Sequence, residues 1–322
     1  MQLGLMEQPC TLCPRRCGAF RHLGNPGRCG ATDQIEVAAV CIHRGEEPPL
    51  NPIVNIFFNH CNLQCIYCQN YQISSPQTID TSQLPTTTLD QLADRIVSHL
   101  SIVNCQLSIV NCQLSTPLLG FVTAAHYAHQ LPAIVDELHQ RGLSPTIVYN
   151  SSGYESDETL QQLEGLIDIY LPDLKYMDSR MAQAYSHAPD YPEVATAAIL
   201  EMRRQVGSNL KCDTNGTAYR GIIIRHLLLP GAVENSKRCL DWLAEHFTPW
   251  TLHLSLMAQY YPPRTGLPAP LDRRPTQEEY DEVCAYAQSL GFSQGWTQSL
   301  QANTTYRPDF SQPDHPFEYQ KP

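Results

Sequence analysis

IVNIFFNHCNLQCIYCQN, residues 53–70, decides the fold and poses the chemical question. Its first six residues are apolar except Asn55, the length and composition of a buried strand. Cys61, Cys65 and Cys68 follow at once, at spacings of four and three. Structural zinc closes its shell with four ligands, whereas three thiolates leave one position open. One arrangement adds His60 to the three thiols around zinc, but adjacent residues of an extended chain point to opposite sides. The better arrangement is a 4Fe-4S cluster in which each cysteine holds one iron and the fourth iron binds something else.

Composition frames that question. The chain has 322 residues, 42% hydrophobic and 16% charged, with a formal net charge of −11. That is enough material for one large α/β domain and a small appendage. No basic cluster accompanies the acidic balance, so neither nucleic acid nor an anionic membrane is expected as a partner. The start, MQLGLMEQPC, lacks the pattern of an export signal, and no run of about 18 apolar residues occurs, so the expected location is the cytoplasm. Thirteen cysteines, an odd number at short spacings, read as metal ligands rather than disulfides.

Beyond the cysteine loop, strand-like and helix-like stretches alternate. IVNIFF leads to TLDQLADRIVSHL, whose Leu89, Leu92, Ala93, Ile96, Val97 and Leu100 share one helical stripe. LGFVTA leads to a helix with Pro132 in its first turn, a stop at Gly142, and Leu131, Ile134, Val135 and Leu138 facing inward. TIVYN, IDIYLPD, GIIIRHLLL and TLHLSLM each precede a further helical pattern. Six such units predict an α/β fold, a partial (β/α)6 TIM-like barrel over residues 51–292, with its chemistry beyond the carboxyl ends of the strands. The cysteine loop sits at such an end.

Residues 1–50 form a Cys-rich segment in which Cys10, Cys13, Cys17 and Cys29 read as a second metal site, for zinc or a second Fe-S cluster, with Cys41 in reserve. Residues 293–322 read as a loosely ordered Pro-rich polar tail. SIVNCQL occurs twice in tandem at 101–114 and reads as a duplicated loop insertion, with Cys105 and Cys112 as passengers.

The CxxxCxxC spacing, with Tyr67 before the last cysteine, resembles the signature of radical S-adenosylmethionine (SAM) enzymes. CTLCPRRCGAFR, HRGEEPPLNP, IFFNHCNLQCIYCQNYQIS, VYNSSGY, DIYLPDLKYMD, RHLLLP and MAQYYP together resemble the branch related to the pyruvate formate-lyase activating enzymes, over residues 10 to 292. The resemblance implies a barrel of the radical SAM type and a 4Fe-4S cluster on Cys61, Cys65 and Cys68 that chelates SAM. It further implies reductive cleavage of SAM to a 5'-deoxyadenosyl radical, hydrogen abstraction from a protein or peptide, and an electron donor such as flavodoxin or ferredoxin. Asp173 and Lys175 match the Asp-x-Lys motif near SAM; the plain alternative is an exposed ion pair. Arg225 resembles an arginine of these enzymes and suits a carboxylate, while His226 reads as a hydrogen-bonded core or rim histidine. Asn150, Ser151 and Gln259 are placed to bond ribose, methionine or substrate, although a turn would also explain Asn150, Ser151 and Gly153.

One departure stands out. Where activating enzymes carry a Gly-Gly-Glu type motif for the SAM amino group, this chain has VTAAH, residues 122–126, leaving Thr123 and His126 as substitutes. Glu46 and Glu47 precede the cluster loop and cannot be that motif; they either line the cavity or are solvated. Two other readings stay open: the same radical acting on a small molecule, and a non-catalytic zinc-binding interaction protein using both cysteine groups.

Overall fold

The computed structural model describes residues 8–74, 79, 87–109, 116–301, 307–312, 316 and 317. The elements run β1 (Val37–His43), β2 (Ile53–Phe58), α1 (Tyr71–Ser74), α2 (Leu89–Ile109), β3 (Leu118–Val122), α3 (Leu131–Gln140), β4 (Thr146–Ser151), α4 (Asp157–Gln162), β5 (Ile169–Pro172), α5 (Ser179–Ser186), α6 (Tyr191–Val206), β6 (Lys211–Cys212), β7 (Ala218–Leu227), α7 (Val233–His246), β8 (His253–Met257), α8 (Gln277–Ser289) and β9 (Gln294–Thr297). They build one mixed sheet of nine strands in the order β1-β2-β3-β4-β5-β7-β8-β9, with β6 attached to β7. From β2 to β9 every neighbouring pair is parallel, whereas β1 and β6 pair antiparallel. The arrangement is compatible with a barrel-like α/β fold.

All six strands expected from apolar runs are present. Two further strands flank them, because VAAVCIH docks antiparallel on β2 and QGWT docks parallel on β8. The sheet therefore continues past residue 292 into the segment expected as a loose tail. That segment is also anchored: Phe310 is buried, and Phe310 and Phe317 pack against Phe57 at ring separations of 5.3 and 5.8 Å. Two aromatic rings on a polar stretch gain more from covering β2 than from solvent.

One face of the sheet carries the main core. Val54, Ile56 and Phe58, Leu119 and Phe121, Tyr149, Ile222 and Ile224 pack against the helices. In α2, Leu92, Ala93, Ile96 and Leu100 are buried on the expected stripe, and Leu89 and Val97 are half-buried. In α3, which begins with Pro132 in its first turn, Leu131, Ile134, Val135 and Leu138 are buried. The first SIVNCQL copy is not a loop: α2 runs through it and on to Ile109, with Val103 buried beside Leu100. Val103 prolongs the helical stripe while Ile102 is exposed, so the register simply continues. Cys112 and the end of the second copy lie outside the described residues, as does the side chain of Cys105.

On the opposite face the strands alternate toward the interior. Leu50, Ile53, Leu118, Val148, Ile169, Leu171, Ala218 and Ile223 form a small apolar floor. Among the described residues no helix is long and apolar enough to cross a membrane.

Candidate active site

Above that floor lies a cleft enclosing about 1500 Å³, its open mouth included. Its walls follow the period-two rule of strands. Ile53, Asn55 and Phe57 face it from β2, Val148, Asn150 and Ser152 from β4 and beyond, and Leu171, Asp173 and Lys175 from β5 and beyond. Arg225 and Leu227 contribute from β7, and Met257 and Gln259 from the end of β8. Cys61, Cys65 and Cys68 complete the wall.

Each thiol is supplied with donors. Ser186 Oγ donates to Cys65 Sγ at 2.9 Å, Ser74 Oγ to Cys68 Sγ at 3.2 Å, and the Leu63 N–H to Cys61 Sγ at 3.4 Å. Burial pushes all three thiols up, Cys65 to about 12, while the positive charge of Lys175 pulls each of them back. Lys175 is thus the cation that the three sulfurs share. Burial alone would lower its own pKa, yet Asp173 and the thiols hold it above the ordinary lysine value. Asp173 forms an ion pair with it.

The backbone that presents this pair is clamped from behind. His226 Nδ1–H donates to Leu174 O at 2.6 Å and its Nε2 accepts from Ser236 at 2.8 Å, so His226 is the buried core histidine expected. Asn235 accepts from the Met177 N–H at 2.9 Å and donates to Lys175 O at 2.9 Å. Gly153 permits the close approach of the neighbouring strand: it has φ +80°, and a Cβ there would meet Asp173 O at 2.4 Å. Three non-glycine residues around the cleft adopt positive φ, namely His60 (74°), Gln64 (63°) and Thr123 (53°). Such conformations are costly and concentrate at ligand sites.

The N-terminal segment braces the loop from outside. Arg15 donates to Asn62 O (3.0 Å), Leu63 O (3.3 Å), Ser186 O (3.2 Å) and His187 O (2.6 Å), and Gln64 Nε2 donates to Arg28 O at 2.8 Å. Cys10, Cys13 and Cys29 are buried and Cys17 is exposed, none of them lining the cleft. Burial pushes Cys13 up to about 12. Among the described residues, no three or more His, Cys, Asp or Glu side chains converge as ligands of one ion must. A cluster makes no such demand, because each cysteine holds a different iron. His60 Nε2 lies 2.7 Å from Glu36 Oε2, and its Nδ1 is buried without a hydrogen-bond partner among the described residues.

Thr123, Asn150, Asp173, Lys175, Arg225 and Gln259 all reach the cleft. Two other expected residues stand elsewhere. Ser151 follows Asn150 on the strand, so it faces away, where its hydroxyl donates to Glu155 at 2.7 Å. His126 is carried off by the turn after Thr123 and donates through Nε2 to Asn59 O at 2.7 Å, buried. Glu46 and Glu47, which the sequence left between cavity and solvent, line the cleft. Their position depends on how the turn after β1 folds inward, and the local pattern carries no signal for that.

No family model matches this chain. An uncharacterised protein of Methanocaldococcus jannaschii is 24% identical over 284 residues, covering 87% of this chain and 74% of that protein. A domain of a pyruvate-formate lyase-activating enzyme from Bacteroides vulgatus is similar in structure over 53% of this chain and 93% of that domain, with a TM-score of 0.36 and 15% identical residues.

Proposed function

We propose that this chain is a radical SAM enzyme whose Cys61, Cys65 and Cys68 hold a 4Fe-4S cluster, with SAM and a protein or peptide substrate in the cleft beside it. The observation that carries the reading is that three thiols, Cys61 buried and Cys65 and Cys68 half-buried, share one cleft with Lys175 and the polar ends of four strands. On this reading residues 51–292 form a partial (β/α)6 barrel, the Cys-rich segment ahead of β1 braces the cluster loop, and Gln294–Thr297 extend the sheet edge. The reaction belongs in a reducing cytoplasm, with flavodoxin or ferredoxin as electron donor.

The residues present fit such a group. Every sulfur has an O–H or N–H donor and a nearby cation, the features that hold thiolates in a cluster and set its potential. Asp173 Oδ1 and Arg225 Nε are buried without a hydrogen-bond partner, as expected of groups that serve a ligand. When bound, the cluster and SAM supply one-electron cleavage of the sulfonium and hydrogen abstraction.

The chain's own part is binding, orientation and exclusion of water. Lys175 offsets the negative charge of the thiolates, and its ion pair with Asp173, clamped through His226 and Asn235, fixes where that charge sits. Thr123, Asn150, Arg225 and Gln259 offer polar contacts to SAM. Phe57, Phe58 and Tyr67 form an apolar wall that keeps solvent from the reacting centre.

The test is anaerobic. The protein is reconstituted with iron and sulfide, metals are counted, and 5'-deoxyadenosine is assayed after SAM and dithionite are added. About four irons per chain with reductant-dependent deoxyadenosine is the expected result. Zinc without iron, and no deoxyadenosine, would overturn the proposal.

A further inference from the structure

Glu46 and Glu47 enter the cleft from the turn between β1 and β2, which Asn51 pins through two hydrogen bonds to the backbone of Gly45 (2.8 and 3.0 Å). They flank Arg225. Its Nη2 lies 3.7 Å from Glu46 Oε1, and its Nε lies 3.7 Å from Glu47 Oε1 and 3.6 Å from Asp173 Oδ1. All three separations exceed hydrogen-bond length. Arg225 Nε, Glu47 Oε1 and Asp173 Oδ1 are each buried with no hydrogen-bond partner among the described residues. Glu47 itself is only 4% exposed.

The charges around the cleft are unequal. Its described lining carries three carboxylates, Glu46, Glu47 and Asp173, against two permanent cations, Lys175 and Arg225. Lys175 is taken by Asp173. Glu46 also faces His43, whose Nε2 is 4.0 Å from it; burial raises its carboxyl, but Arg225 and His43 outweigh that and hold it well below the usual range. Glu47, beside Ser255, is pushed up to about 7 by burial, which Arg225 only partly offsets, so near neutrality it ionises only in part unless a further cation stands beside it. One buried carboxylate is therefore left without a cation of its own.

We propose that Glu47, positioned by Arg225 and Glu46, is the subsite for a primary ammonium group of the substrate, such as a lysine side chain or a peptide amino terminus. The unpartnered atoms decide the class. Two of the three are acceptors, and an ammonium, with three N–H donors and no acceptor, satisfies both while balancing the odd charge. A substrate carboxylate would serve Arg225 Nε, but it would add a fourth negative charge and leave both acceptors bare. A neutral hydroxyl, with a single proton, would reach one acceptor and leave the charge unmatched. The subsite rests on the reading of this cleft as the place where substrate is held.

The experiment is equilibrium dialysis of the reconstituted holoenzyme with SAM present and reductant omitted. The probes are N-acetyl-lysine amide and N-acetyl-norleucine amide, which differ by the terminal ammonium. The wild type is expected to bind the lysine probe about tenfold more tightly, a difference of about 1.4 kcal/mol. In Glu47→Gln, matched to wild type in iron content and circular dichroism, the preference is expected to vanish. Equal binding of the two probes by wild type, which needs no variant, would overturn the proposal, as would a preference that survives Glu47→Gln. Deoxyadenosine formation is assayed separately, so a lysine preference without SAM cleavage would refute the proposed reaction and leave the subsite standing.

Discussion

Two groups of cysteines lie back to back in this molecule, and only one faces the cleft. Cys61, Cys65 and Cys68 sit at the mouth of the parallel sheet, each with a hydroxyl or amide donor and all within the field of Lys175. Cys10, Cys13, Cys17 and Cys29 sit behind them in a segment whose Arg15 ties down the carbonyls of Asn62 and Leu63. Metal-like spacing is thus common to both groups, while access to a cleft and a shared cation belong to one. On the proposed reading the environment, more than the spacing, separates the reacting thiols from those of the N-terminal segment.

The sharpest way to break that contrast is to remove the cation. Lys175→Met is expected to lower deoxyadenosine formation by roughly 100-fold or more, the scale on which one preorganised charge acts, with iron content retained. Activity within a few fold of wild type would show that the thiols do not depend on Lys175.

Acid offers the next largest effect. Burial holds His126 down to about 3, below its ordinary 6.5. A depressed folded-state value stabilises the protein above the unfolded value and loses that stability as pH falls through the window from 6.5 to about 3. The loss is expected to approach about 1.4 kcal/mol per pH unit, read as a falling urea midpoint. His126→Gln, which still donates to Asn59 O, is expected to be flatter over that window; an unchanged slope would remove His126 from the account.

Two smaller effects probe the brace. Arg15→Ala removes several bonds to the cluster loop and is expected to cost about 1–3 kcal/mol, seen as a lower urea midpoint and faster loss of iron under a chelator. Wild-type rates of iron loss would show that the N-terminal segment does not support the loop. Cys17→Ser, on an exposed thiol, is expected to change stability by no more than about 0.5 kcal/mol and to leave deoxyadenosine formation unchanged. A large loss of activity would make the N-terminal cysteines partners in the chemistry.

Much of this arrangement is legible in the chain. Apolar runs mark β2, β3, β4, β5, β7 and β8, since strands buried on both faces need few polar residues. VAAVCIH is harder to recognise because it lies within the Cys-rich segment, and QGWT is too short to carry a period. In the cleft, alternation places Asn150 and Asp173 correctly and, applied strictly, separates Ser151 from Asn150. It has no hold on VTAAH, where the chain leaves the strand at Thr123 and turns His126 into the core. Nor does it reach Glu46 and Glu47, which meet Arg225 only because a turn of β1 folds across the sheet from 178 residues away or more. Long-range encounters of that kind have no local period.

The central claim is that the loop cysteines, and no others, form the reacting centre. It is tested most directly by reconstituting wild type, Cys65→Ala and Cys13→Ala side by side, each checked by circular dichroism, and measuring deoxyadenosine formed per chain after SAM and dithionite. The account predicts that Cys65→Ala makes none while Cys13→Ala continues to make it. Turnover by Cys65→Ala, or its abolition in Cys13→Ala alone, would contradict it.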